Sequence, residues 1–372
     1  MNDVAELKLF GLAHARAQNL THAVYQEICA RIDSDDADRP GSWTGEWSRA
    51  AARLEAQGRL LDACAHYNLA RFPAVDGPAR KHAQKKCVEV CAAWAADHGV
   101  TRLDIPVLGE TVPCWASGLS ATERRPLLLV MGGIISVKEQ WMTLLAQASR
   151  LGMAVLVAEL PGVGENPLPY SADSWRMLSQ LLDVVRDRAD VEHTYGLTLS
   201  FSGHAALRCA AHDRRIKGVI TIAAPVGAFF TDPDWRRGLP RITVDTLARL
   251  TRTTPDDITG DMSSWALTDA ELAAVGIPVH YLATHEDAII PGDDVRRLRS
   301  VVPGTRVLEY RDEHAGPGNA LETRLWIFLS LLRMRRVGGP RTALLAAAAG
   351  LLALRRRLTG AVVRARRPRH AA

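Results

Sequence analysis

An α/β architecture, a mostly parallel sheet behind an all-helical front end, is what this chain of 372 residues predicts, and three observations carry the prediction. The first hundred residues place apolar side chains at spacings of three and four, with no strand-like alternation. From about Leu103 onward, short apolar runs alternate with helical patterns, the rhythm of strands joined by crossover helices. One of those runs stops at Ser200, and small residues then lead into a helix. A strand that turns sharply into a helix at a serine holds the hydroxyl at the top of a sheet, where a base and backbone amides reach it.

Taken in order, helices are expected over 7–19, 21–32, 47–57, 60–70 and 79–98, with breaks at 33–41 and 72–78. Residues 1–100 therefore read as a helical cap domain. An opening hairpin, 103–108 with 111–117, starts the second domain, 101–337. Its core strands are expected at 126–131, 153–160, 194–199, 218–223, 278–283 and 306–310, and its helices at 137–150, 172–188, 201–211, 293–301 and 320–335. A helical insertion at about 228–275 interrupts the rhythm; it carries Phe229, Phe230, Trp235 and Trp265 and is expected to help roof the site. Residues 338–372 form an Arg-rich tail that opens with an apolar helix at 343–354, too short to span a bilayer. That tail reads as a frayed helix with a disordered end, or as an amphipathic anchor on anionic lipid.

Composition narrows the function classes. Hydrophobic residues at 47% and charged ones at 23% describe a globular protein. The net charge of +5 would suggest nucleic acid, but the tail beyond Gly338 holds eight arginines and no acid, so the body is mildly acidic and no nucleic-acid partner is expected. No apolar run approaches the roughly 20 residues of a transmembrane segment, and the first residues lack a secretory signal, so a cytoplasmic protein is expected. The six cysteines lack metal-ligand spacing and read as reduced core residues. No metal or organic cofactor has a recognisable site. The loop Leu160-Pro161-Gly162-Val163-Gly164-Glu165 lacks the lysine of a phosphate loop and reads as a structural turn.

A serine hydroxyl needs a base to take its proton and an acid to orient that base. His314, in the loop after the last strand, is placed for the base, against the bland alternative of a surface histidine. Asp287, after the strand 278–283, is the candidate acid, with Glu286 as the fallback; either also fits a solvated loop acid. Acyl chemistry further needs amides aimed at a developing oxyanion. Phe201, following the serine, supplies one, and Gly133 or Ile134, in the turn after strand 126–131, the other, although a plain tight turn would use the same glycines. Ile135, Trp141, Phe230 and Trp235 are the candidate substrate-binding residues.

With these residues in place, the region from about 100 to 335 resembles the α/β-hydrolase superfamily. The stretch Gly132-Gly133-Ile134-Ile135-Ser136-Val137-Lys138-Glu139 is similar to one in the group containing the FrsA-like esterases and the dihydropseudooxynicotine hydrolases, which also carry a helical N-terminal domain over the active site. The resemblance spans nearly the whole chain except the basic tail, and it allows a homodimer formed through the helical front end. Three departures stand out. Ile135 replaces an acidic residue, Thr198 and Ser202 replace two glycines of the elbow, and Glu159 stands where the group has aspartate.

Three functions follow as alternatives. The leading one is a serine-dependent acyl-transfer enzyme, most simply an esterase, acting on a moderately large apolar metabolite with no cofactor. The resemblance also admits an acetate-eliminating lyase of the tetronate or spirotetronate polyketide type, with His314 taking a carbon-bound proton. A non-catalytic binding protein is the third.

Overall fold

The structure, a computed structural model, describes residues 2–37 and 39–365. Its front end consists of five helices: α1 (Val4–Ala17), α2 (His22–Cys29), α3 (Trp43–Ala56), α4 (Leu60–Arg71) and α5 (Pro78–Ala95). Side chains placed before the first turns set where they start. Asp3, Thr21 and Ser42 each accept a hydrogen bond from an amide three residues on, and Pro78 opens α5 where no amide is needed. The Ser42 cap starts α3 four residues ahead of expectation and puts Trp43 and Trp47 one turn apart on one face. Both indoles are fully buried with Leu7, Tyr25, Leu69 and Phe72. Trp43 Nε1 donates to the Leu69 carbonyl at 2.7 Å, whereas Trp47 Nε1 is buried with no acceptor among the described residues.

The sheet has eight strands: β1 (Val100–Val107), β2 (Glu110–Ser117), β3 (Pro126–Met131), β4 (Ala154–Ala158), β5 (Asp190–Leu199), β6 (Ile216–Ile222), β7 (Val279–Thr284) and β8 (Arg306–Tyr310). Their spatial order is β1-β2-β4-β3-β5-β6-β7-β8, parallel from β4 onward, with the antiparallel hairpin β1-β2 at one edge. Leu108 and Gly109 both take left-handed backbone in the two-residue turn of that hairpin. β4 is apolar and buried at every position, as a strand covered on both faces must be. The helix Phe201–His212 packs on β5 and β6, and Gly292–Val301 on β7. The parallel strands end at one edge of the sheet, where register pairs Met131 with Thr198, Leu199 with Ile222 and Ile222 with Leu282. Loops following β3, β5, β7 and β8 therefore gather at that edge, the usual ligand-binding end of such a sheet.

One expected helix of the sheet domain differs. The helix expected over 137–150 is broken into Lys138–Trp141, Met142–Leu145 and Ala148–Leu151. Lys138 and Glu139 turn inward there, both buried, which a regular helix on the sheet surface would not allow. The insertion consists of short helices, the longest Arg241–Thr251, joined to one another by the buried Arg236, which donates to the carbonyls of Phe229, Ile258 and Gly260.

Contacts divide the chain into two compact units, Met1–Pro317 and Gly318–Ala372, so the helical front end belongs to the same unit as the sheet. The second unit holds the helices Ala320–Met334 and Pro340–Ala365, the latter a single helix that continues past the expected end at 354. Leu344, Leu351 and Leu354 on it are exposed. The end of the Arg-rich tail, 366–372, lies outside the described residues. Among the described residues, no helix is long and apolar enough to cross a membrane. All six cysteines are buried and free of disulfides.

Candidate active site

Ser200 ends β5 with φ +55° and ψ −125°, a backbone state that L residues rarely hold. Such a conformation costs about 1–3 kcal/mol and persists only where its surroundings enforce it. Here the Ser200 amide donates to the Ile222 carbonyl at 2.7 Å, and the Gly203 amide to the Ser200 carbonyl at 2.8 Å. Gly203 allows the helix to start this close to β6, since a Cβ at that position would collide with Thr221 Oγ1 and lie 2.6 Å from Ala224 Cβ. The serine at 202 does not strain the elbow. Its buried hydroxyl accepts from the Leu199 amide at 2.8 Å and faces the carbonyls of Met131 and Leu199 at 2.9 Å, linking the ends of β3 and β5. Thr198 is also fully buried.

His314 and Asp287 meet across the loops that follow β7 and β8. The Nδ1 atom of His314 lies 2.9 and 3.0 Å from the two carboxylate oxygens of Asp287. Asp287 is nearly closed off from solvent and accepts from the amides of Ile289 and Ile290 at 2.9 Å and from the Thr284 hydroxyl at 3.1 Å. Burial alone would raise its carboxyl; the facing imidazole and the two amides outweigh it and hold the group below its ordinary range. Glu286, the fallback acid, is instead turned to the surface and paired with Arg311. Left-handed backbone at Ala315 and Gly316 turns the chain directly after His314. Among the described residues, the imidazole's hydrogen bonds go to Asp287, and the Ser200 hydroxyl makes none. A hydroxyl-to-imidazole bond of this kind is often long until substrate arrives.

The turn after β3 lies against the serine. A Cβ on Gly133 would stand 3.2 Å from Ser200 Cβ and 3.9 Å from Ser200 Oγ, so the missing side chain is what lets this backbone come close. The amides of Gly133, Ile134 and Phe201 donate to no group among the described residues. For Phe201 that follows from its place at the first position of a helix.

The four expected substrate-binding residues divide. Ile135 is half-buried and packs against the core of the helical front end. Trp141 is half-buried too, and its indole N–H is enclosed without an acceptor. Trp235 is half-buried and donates to the Ile289 carbonyl at 2.9 Å, bracing the loop that carries Asp287. Phe230 is fully enclosed by Phe229, Trp265 and His204, so it backs the insertion and offers no surface to a ligand.

Sequence reasoning passed over two groups next to this site. Arg71, at the end of α4, is buried, and its Nη2 donates to the Ile135 carbonyl. Behind the same turn, Lys138 Nζ lies 2.9 Å from Glu139, 3.3 Å from Glu159 and 2.6 Å from Glu165, which also binds Arg102. Glu159 accepts from the amides of Lys138 and Glu165 at 3.2 and 2.9 Å, so the loop 160–165 is a turn wrapped around a carboxylate. Burial pushes the Glu159 carboxyl up to about 7, with Lys138 opposing and Glu139 reinforcing the shift. One signal was available: with six lysines against forty arginines, a lysine beside a glycine-rich turn stands out.

Known proteins match this arrangement over most of the chain. The esterase FrsA-like family matches residues 32–314. Esterase FrsA of Photobacterium profundum is 23% identical over 311 residues, 76% of this chain and 74% of that protein. The solved structure of wild-type AbyA5 is 47% identical, covers 94% of this chain and 100% of its own, and superposes with a TM-score of 0.90. The 2,6-dihydroxy-pseudo-oxynicotine hydrolase, 19% identical, shares the fold over 87% of this chain and 96% of its own, with a TM-score of 0.67. With a mostly parallel sheet, a helical front end and this elbow, the chain belongs to the FrsA-like esterase family and is an α/β-hydrolase-fold enzyme.

Proposed function

We propose that the protein cleaves an ester or acyl group of a moderately large apolar metabolite, with Ser200 as nucleophile, His314 as base and Asp287 as the acid that orients it. The observation that carries this reading is the strained Ser200 backbone beside three amides that have no other partner. Ser200 Oγ attacks the carbonyl carbon while His314 Nε2 takes its proton, and the carbonyl electrons move onto oxygen, where Gly133 or Ile134 and Phe201 hold the charge. Collapse re-forms the carbonyl, breaks the bond to the leaving oxygen and returns the proton to it; water then releases the acyl group by the same steps. Asp287, charged and nearly buried, fixes the imidazole tautomer with its proton on Nδ1. A fluorophosphonate probe tests this: labelling of the wild type that is lost in Ser200→Ala supports the serine nucleophile, and labelling that persists in the variant overturns it.

A second reading of the same site, elimination of acetate, is compatible with a His314 whose Nδ1 faces Asp287 and whose other ring nitrogen has no partner among the described residues. In that reaction His314 takes a carbon-bound proton, the C–H electrons form a carbon–carbon double bond, and the C–O bond breaks to release carboxylate into the oxyanion site. Reaction in ¹⁸O water separates the two. Hydrolysis labels the acid product, whereas elimination labels neither product and yields an alkene. The non-catalytic alternative loses its support, since Ser202 fits the elbow without distortion and the family is enzymatic.

A further inference from the structure

We infer that Arg71, contributed by the helical front end, is a positioning residue for the oxyanion turn, holding the Ile135 carbonyl so that the neighbouring amides stay free for substrate. This rests on the serine reading above, because only that reading gives the amides a task. Arg71 is 1% exposed and, among the described residues, forms no ion pair with a carboxylate. A guanidinium in that setting carries a large desolvation cost unless it is well hydrogen-bonded. Each of its three nitrogens donates once: Nε to Asn68 Oδ1 at 2.8 Å within α4, Nη1 to the Pro73 carbonyl at 3.4 Å beyond its end, and Nη2 to the Ile135 carbonyl of the turn.

The rigid planar fork makes those three bonds interdependent. Asn68 is itself held by Gln18 Oε1 at 2.8 Å, so a chain of side chains runs from α1 through α4 to the turn. At the turn, the Ser136 amide donates to the Gly133 carbonyl at 3.1 Å. With that bond closing the turn from inside and Arg71 holding it from outside, the peptide planes from Gly133 to Ser136 are fixed. Gly133 is left against Ser200, and the Gly133 and Ile134 amides have no partner among the described residues. Ile135 reinforces the contact, since its side chain packs on the same helical core. The helical front end on this account completes the catalytic apparatus as well as covering it, and removing its arginine leaves the nucleophile in place while loosening the amides.

The test compares wild type, Arg71→Met, which keeps length but removes the donors, and Arg71→Lys, which keeps charge but not the fork. The readouts are the fluorophosphonate labelling rate, kcat and KM on a chromogenic ester, and the thermal melting point. Expected for Arg71→Met is a loss of about 10-fold to 100-fold in labelling rate and kcat with KM nearly unchanged, less than the loss of a whole oxyanion donor. Arg71→Lys should lie between, and added guanidinium should restore part of the Arg71→Met rate. A folded Arg71→Met labelled at the wild-type rate overturns the inference. Should that variant not fold, Asn68→Ala, which releases the Nε end of the fork, decides the matter: a reduced labelling rate with unchanged KM supports the inference and a wild-type rate overturns it. Failure of the wild type itself to be labelled overturns the serine reading and this role together, and is visible before any Arg71 variant is made.

Discussion

The elbow at Ser200 and the turn at Gly132 to Val137 face the same reacting atoms but are held in place in different ways. The elbow is fixed almost wholly by its immediate neighbours on β5, β6 and β3: Ile222 for the Ser200 amide, and Ser202 for the strand ends. The turn depends on segments remote in sequence, with Arg71 more than sixty residues before it and Glu159 more than twenty after it. Removal of the Ser200 hydroxyl should therefore act on the chemical step alone. Changes around the turn should reach activity, stability and pH response together, because the groups that hold it also bury charge.

The largest effect should come from the elbow. Ser200→Ala is expected to remove about 10⁵-fold or more of kcat/KM with little change in melting point, since alanine keeps the Cβ and with it the same backbone strain; a variant that retains near-normal turnover would break the comparison at its first term. Asp287→Asn should lower kcat by about 10²-fold to 10⁴-fold, since the amide no longer fixes the imidazole tautomer. Its acid side is testable as well. Asp287 is held below its ordinary value of 3.8, so its contribution to stability is present above that pH and is lost as pH falls through the depressed value, a loss that an acid titration of Asp287→Asn should lack.

Behind the turn the sign reverses. Glu159, raised from 4.5 to about 7, holds its proton more tightly folded than unfolded. The stability it contributes is complete below about pH 4.5 and is lost as pH rises through about 7, on the order of 1–3 kcal/mol. Denaturant melts between about pH 5 and about pH 8 should show that decline in the wild type and a flatter profile in Glu159→Gln. Gly203→Ala should have an effect of similar size, about 1–3 kcal/mol of stability from the clash with Thr221 and Ala224, with residual activity in the folded fraction.

The same contrast explains what the sequence made legible. Ser200, Asp287 and His314 each follow a strand, and strands announce themselves by short apolar runs such as 126–131 and 306–310, whose limits the structure reproduces. The elbow could be read because its constraints are local. Arg71 could not, because nothing within α4 distinguishes an arginine buried against a distant carbonyl from one snorkelling to water. Lys138 was hidden for a similar reason: the 137–150 segment has the periodicity of a surface helix, and only the carboxylates of Glu159 and Glu165, brought in by a later loop, pull it inward. Phe230 misled in the opposite direction, since an aromatic residue in an insertion looks the same whether it lines a cleft or fills a core.

The buried charge cluster behind the turn also sets an electrical background for the reaction. With Glu159 carrying its proton, Lys138 and Arg102 balance Glu139 and Glu165, so this floor is neutral and the guanidinium of Arg71 is left over as a positive charge beside the turn. Alkaline solution would strip that proton and cancel the positive charge left over behind the turn that must welcome an anion from the substrate. Turnover should accordingly slacken once the medium passes neutrality, under a brake built from a single carboxyl that never meets the bond being cut.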